Sequence, residues 1–160
     1  MELRENVSNA LQAQLTLERT NAAIYDALAA GLTFTFWPGS AAFMERAADE
    51  ERGHAKLVRD YLVARNVAPA YGAIEPAPLI TDDEPAPYFW AALEREQATT
   101  QALTVLHMDA WNAVDLETCT FLLPLIREQT ESTARLHDIL KQFSRLDSDP
   151  LLIDQGLAEG

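Results

Sequence analysis

The sequence predicts an all-α protein: a four-helix bundle with a long crossover between helices 2 and 3 and a short C-terminal fifth helix. Four long stretches repeat apolar residues at spacings of three and four, and no strand-type alternation runs for any useful length. The breaks between these stretches hold turn-forming or capping residues. With 160 residues, 48% apolar and 23% charged, the chain suits a single domain over 1–160, its bundle occupying about 6–145.

The first helix is expected from about Asn6 to Phe34, on a stripe of Leu11, Leu15, Glu18, Ala22, Tyr25 and Leu28. Trp37-Pro38-Gly39-Ser40 then breaks the chain. Ser40 is the expected N-cap of a second helix to about Asn66, with Ala47, Glu51, His54, Val58 and Tyr61 on one side. Residues 67–83, rich in Pro, Ala and Gly, are too many for a helical hairpin and predict an ordered crossover. A third helix is expected from Glu84-Pro85 to about Ala110, carrying Phe89, Leu93, Glu96, Leu103 and His107. After a turn at 112–115, a fourth runs to about Phe143 with Leu122, Leu125, Gln129, Ser132, Leu136 and Leu140; Pro124 within it is a candidate kink. Asp149-Pro150, an N-cap and a first-turn proline, opens the fifth helix over about 149–158.

Charge excludes some partners. Lys and Arg number 12 and Asp and Glu 25, a net −13, a field that repels nucleic acid and anionic lipid and draws in cations. The longest apolar run, Phe121 to Ile126, falls far short of the roughly 18 residues a membrane span needs. The opening MELRENVSNA has charges where a signal peptide has its apolar segment, so a cytoplasmic location is expected. The single Cys119 excludes an internal disulfide and a thiolate metal site, and predicts a reduced thiol.

Each of the four long helices places a polar group at mid-length in a face that should be dry: Glu18, Glu51 with His54, Glu96, and Gln129 with Ser132. Isolated carboxylates cost several kcal/mol each to bury, and no Lys or Arg occupies these stripe positions. Metal cations would compensate. Glu18 and Glu51 lie 33 residues apart, as do Glu96 and Gln129, each pair equidistant from its intervening turn, so antiparallel hairpins bring all four to one level. Glu51-Arg52-Gly53-His54 is an E-x-x-H, whose i, i+3 spacing lets a carboxylate and an imidazole share one ion. Oxygen-rich ligation with one nitrogen suits Fe, Mn or Zn.

Glu18 and Tyr25 in LTLERTNAAIY, Glu51 and His54 in ADEERGHAKL, Glu96 in LEREQ and Gln129 in REQTES resemble the ferroxidase-centre motifs of non-haem bacterial ferritins. The resemblance implies that Glu18 and His54 hold a first iron, Glu51 bridges, Glu96 with Gln129 serves a second, and Tyr25 supports them; an ordinary core tyrosine is the alternative for Tyr25. It further implies oxidation of Fe(II) by dioxygen or hydrogen peroxide, iron storage, and a homo-oligomeric cage of twenty-four subunits. Bacterioferritins are similar but have a second E-x-x-H where this chain reads Gln129-Thr130-Glu131-Ser132, and a haem-ligating Met where it has Arg52, so no haem is expected. A non-cage di-iron peroxidase or oxidase of the rubrerythrin or bacterioferritin type is the alternative function, separable by native size. Glu128 and Glu131 share a helix face beside Gln129, and Glu50 adjoins Glu51; the three are candidates for an auxiliary iron site, the alternative being a solvated acidic face.

Overall fold

The computed structural model describes residues 3–159, and among these there are five helices and no strand. They are α1 (Glu5–Phe34), α2 (Pro38–Ala64), α3 (Ala86–Asn112), α4 (Leu116–Phe143) and α5 (Pro150–Ala158). No helix among the described residues is long and apolar enough to cross a membrane.

Helices α1, α2 and α3 end in the same way. At each, the last turn closes through a residue in the left-handed region: Phe36, Asn66 and Val114, at φ 63°, 60° and 58°. The next amide then reaches back to the helix, Trp37 to the Leu32 carbonyl, Val67 to Leu62 and Asp115 to Ala110, each at 2.9 Å. This is why the second helix stops at Ala64, two residues before the expected Asn66. Asn tolerates the left-handed region; β-branched Val114 does not, at a cost of roughly 1–2 kcal/mol. Val114 is also mostly exposed, so it recovers little by burial. Val114→Gly is therefore expected to stabilise the protein by about 1 kcal/mol in urea denaturation.

Ser40 is not the N-cap of α2. The helix begins at Pro38, whose ring presets the first turn, and Ser40 is fully buried. The free amides of that first turn are satisfied from a distance. Asp154 of α5 accepts from Gly39 N at 3.0 Å, Ser40 N at 2.6 Å and Ser40 Oγ at 2.7 Å. The expected caps at Asp115 and Asp149 are present, accepting from Thr118 N and Leu151 N. α3 starts at Ala86, two residues after Glu84, and α4 continues through Pro124 on an exposed face.

The crossover lies along α1. Gln12 holds Ala68 and Ala70 by its amide, Arg19 donates to the Gly72 carbonyl at 3.1 Å and stacks over Tyr71, and Trp37 Nε1 donates to the Asp83 carbonyl at 2.7 Å. It is ordered by contacts with the helix it passes, without secondary structure of its own.

α1 packs on α2, α3 on α4, and α1 on α3; α2 and α4 come into little close backbone contact. Side chains bridge that last pair instead. Arg135 stacks over Phe43, His54 meets Glu128, Tyr61 stacks on Phe121 at 4.0 Å, and Arg65 pairs with Asp115 at 3.1 Å. The apolar core falls into two clusters. One lies toward the α1–α2 turn, around Leu28, Met44, Phe89 and Leu136, and the other toward the α3–α4 turn, around Leu11, Leu62, Leu106 and Leu122. A polar layer separates them.

Candidate metal centre

The layer contains the residues that the helical stripes single out. Glu18, Glu51, Glu96 and Gln129 are all buried, between 1% and 6% exposed, one from each long helix. One donor atom each from Glu18, Glu51 and His54 falls within 4.8 Å of the others, a spacing one cation can satisfy. His54 Nδ1 stands 3.5 Å from Glu51 Oε2 and 3.9 Å from Glu18 Oε2.

Around these three, the neighbours fix what each atom offers. Gln14 Nε2 donates to Glu18 Oε1 at 2.6 Å, which leaves Oε2 for the interior of the site. The far ring nitrogen of His54, Nε2, lies 2.9 Å from Glu128 Oε2. When Nε2–H donates to this carboxylate and Nδ1 carries no proton, the Nδ1 lone pair faces the Glu18–Glu51 pair. Apart from a proton the two carboxyls can share with each other, Glu18 Oε2 and Glu51 Oε2 have no partner. Buried acceptors without donors are costly, and a cation is the group that would satisfy both.

Glu96 is placed differently. Tyr25 donates to its Oε1 and Gln129 Nε2 to its Oε2, and Gln129 also reaches the Glu96 carbonyl at 2.9 Å. Both carboxylate oxygens are held by protein donors, so Glu96 and Gln129 lie beside the three-residue group and not within it. They share with Tyr25, Glu51, His54 and Ser132 the lining of a cavity of about 40 Å³, enough for a water or an ion. The exposed Glu50 and Arg135 also line it, together with the apolar Phe43, Ala47 and Leu136. Glu128 and Glu131 are exposed, and among the described residues no second group of three metal-ligating side chains converges.

Burial sets the protonation of the centre. Desolvation raises Glu18 well above the ordinary carboxyl range, with its hydrogen bond to Glu51 and the Glu51 charge adding to it. Glu51 is pushed from 4.5 to about 7, chiefly by desolvation. Burial also raises Glu96 and, with the Glu96 charge, Tyr25. A carboxyl bound more tightly to its proton when folded contributes stability that is full below the unfolded value, and that is lost as pH rises to the folded one. For Glu51 that window runs from 4.5 to about 7, and the loss is on the order of 3 kcal/mol. Metal-free protein is therefore expected to be less stable at about pH 8 than at about pH 5 by more than Glu51→Gln is. Zn(II) is expected to restore the difference at high pH. Urea denaturation of both proteins with and without Zn(II) measures this.

Four contributors lie outside the stripe pattern. Gln14 is one turn before Glu18, and a polar residue between Leu11 and Leu15 was the available signal. Asn21, fully buried, donates to Thr99 Oγ1 at 2.8 Å and accepts from Arg95 at 3.0 and 3.1 Å. Arg95 thus brings a cation to the edge of the layer from a position adjacent to Glu96, off the stripe.

The model of the ferritin-like domain matches residues 8–146. The chain is 27% identical over 142 residues to the bacterial non-heme ferritin of Escherichia coli O6:H1, covering 89% of this chain and 86% of that one. It is 25% identical over 158 residues to the bacterial non-heme ferritin of Bacteroides fragilis strain 638R, covering 98% and 99%. Its fold is similar to that of an open pore ferritin from the hyperthermophilic archaeon Archaeoglobus fulgidus, with a TM-score of 0.93 and 26% identity over 98% of both chains.

Proposed function

Since this chain belongs to the ferritin-like family, we propose that it is a non-haem ferritin that oxidises Fe(II) at the centre described above and stores the ferric product inside a closed shell of its own copies. The observation that carries this is the pair of buried oxygens, Glu18 Oε2 and Glu51 Oε2, which have no partner beyond a proton they can share and which face His54 Nδ1.

Fe(II) enters as substrate. Glu18, Glu51 and His54 hold the first ion, and the two carboxyls release their shared proton as they bind it. Glu51 bridges to a second ion, served by Glu96 and Gln129. Glu96 must first yield one of the hydrogen bonds from Tyr25 and Gln129, so the second ion binds after the first and more weakly. Two Fe(II) give up one electron each to dioxygen, which takes up two protons and leaves as hydrogen peroxide. Tyr25, bonded to Glu96, holds that carboxylate in place during the exchange. Arg52 is paired with Asp26 at 2.9 Å and Asp49 at 2.8 Å, and a guanidinium has no lone pair to offer haem iron. Glu50, Glu128 and Glu131 do not converge as they stand, so an auxiliary iron site would need Glu128 to leave His54 and join the other two. The shell has twenty-four chains, and the exposed Leu151 and Leu152 of α5 are covered by a neighbouring copy within it.

Titrating metal-free protein with Fe(II) in air, with absorbance and native mass followed together, tests the centre and the shell at once. The expected result is ferric absorbance that rises to two Fe(II) per chain in the fast phase, on a particle of twenty-four chains. Anaerobic metal soaks are expected to fill the Glu18, Glu51 and His54 position first. Density appearing first beside Gln129 would contradict the order, and a small particle with peroxidase activity would favour the di-iron peroxidase alternative.

A further inference from the structure

Two of the openings in the bundle surface adjoin residues of the centre, and the two differ in chemistry. On the α2/α4 side the cavity beside the centre is lined by three carboxylates, Glu50, Glu51 and Glu96, with one cation, Arg135, and the apolar Phe43 and Leu136 beside them. On the α1/α3 side lies an open groove of about 510 Å³, lined by Ala13, Leu17, Ala98, Ala102 and Val105, and by no charged side chain. On a chain of net charge −13, a charge-free groove of this size beside the centre is distinctive. Its small alanines leave the volume open.

Gln14 belongs to both the groove and the centre. It lines the groove, is only 2% exposed, and its Nε2 donates to Glu18 Oε1. Its Oε1 has no hydrogen-bond partner among the described residues. One side chain therefore spans from the groove wall to a carboxylate of the centre.

We propose that this groove, closed at its floor by Gln14, is the route by which dioxygen reaches the centre, apart from the acidic side by which Fe(II) enters. The inference rests on the ferroxidase function proposed above. A divalent cation gains from carboxylates and would lose its hydration in an apolar groove without compensation. Dioxygen carries no charge and forms no strong hydrogen bond, so it concentrates where water is poorly held. Separate routes keep oxidant and cation from competing for one opening. Gln14 acts as a positioning residue as well, because any movement that admits dioxygen also loosens its hold on Glu18.

Filling the groove tests the route. Ala98 and Ala102 are exposed and half-buried, so Ala98→Phe and Ala102→Phe leave the core intact. Both are expected to raise the KM for dissolved dioxygen about fivefold or more, with anaerobic Fe(II) stoichiometry and the KM for Fe(II) unchanged. Ala42→Phe, in a groove at the start of α2, is expected to change neither. Xenon under pressure is expected to occupy the α1/α3 groove in crystals of the unaltered protein and not in Ala102→Phe. An unchanged dioxygen dependence in the filled variants, or an empty groove under xenon, would overturn the route while leaving the ferroxidase function standing. A protein that binds Fe(II) and never oxidises it would overturn that function, and the route with it.

Discussion

Replacing Glu51 with alanine is expected to slow rapid Fe(II) oxidation by roughly 100-fold or more, the scale seen when one charge-stabilising group leaves a catalytic site. In the proposed centre Glu51 touches both ions, so its loss would remove one ligand from each and the spacer between them. Glu96→Ala is expected to slow oxidation less, because the Glu18, Glu51 and His54 group remains whole. Melting of Glu51→Ala separates this loss from unfolding. A carboxyl raised to about 7 by burial is a cost to the folded apoprotein at neutral pH, so the variant is expected to melt no lower than the parent. Wild-type rates in both variants would reject the assignment.

The second large effect is structural. A Cβ at Gly39 would stand 1.7 Å from the Asp154 carbonyl oxygen and 2.6 Å from its carbon, and backbone cannot swing aside as a side-chain tip can. Gly39→Ala is therefore expected to expel α5 and, with it, the carboxylate that caps α2. The destabilisation should be about 2 kcal/mol or more, from the lost cap and the charge-assisted hydrogen bonds of Asp154. Arg46 also loses its 2.6 Å contact with the Leu157 carbonyl. Gly53→Ala, in the middle of the same helix, meets nothing within 4 Å and should instead stabilise by about 0.5–1 kcal/mol through helix propensity. Two methyl groups on one helix thus carry opposite expected signs. Thermal melting reads both, and limited proteolysis of the C-terminus shows whether α5 has detached.

Sequence periodicity located the helices well because each long helix buries one stripe, and the polar interruptions of that stripe marked the centre. Glu18, Glu51, His54, Glu96 and Gln129 stood out because a carboxylate or amide between leucines is conspicuous in one dimension. What periodicity could not reach is pairing between distant segments. Nothing local marks Asp154, on a short helix, as the cap of α2, because that role depends on a contact across 114 residues. Ser40, a plausible cap by type, was displaced from that role by Pro38. Arg95 was off the stripe, yet its length carries the guanidinium to Asn21. Glu128 reads in sequence as a candidate, with Glu131 and Glu50, for an auxiliary iron site or a solvated acidic face; the fold leaves it exposed and brings its carboxylate to His54 Nε2, a contact that no local pattern announces.

The side-chain bridging of α2 and α4 has a mechanical consequence. A bundle whose other helix pairs touch along their backbones is a stiff frame, and the seam between α2 and α4 is its compliant edge. That edge is fastened at four levels by Arg135–Phe43, His54–Glu128, Tyr61–Phe121 and Arg65–Asp115. Two of these fasteners, His54–Glu128 and Arg135–Phe43, involve residues that line the cavity beside the centre, while Tyr61–Phe121 and Arg65–Asp115 lie away from it and hold the helices together. In the proposed ferritin, ions would then load and leave through rotation of side chains on a nanosecond scale, without the slower parting of helices. Amide hydrogen exchange along α2 and α4 should accordingly be as slow during iron turnover as at rest.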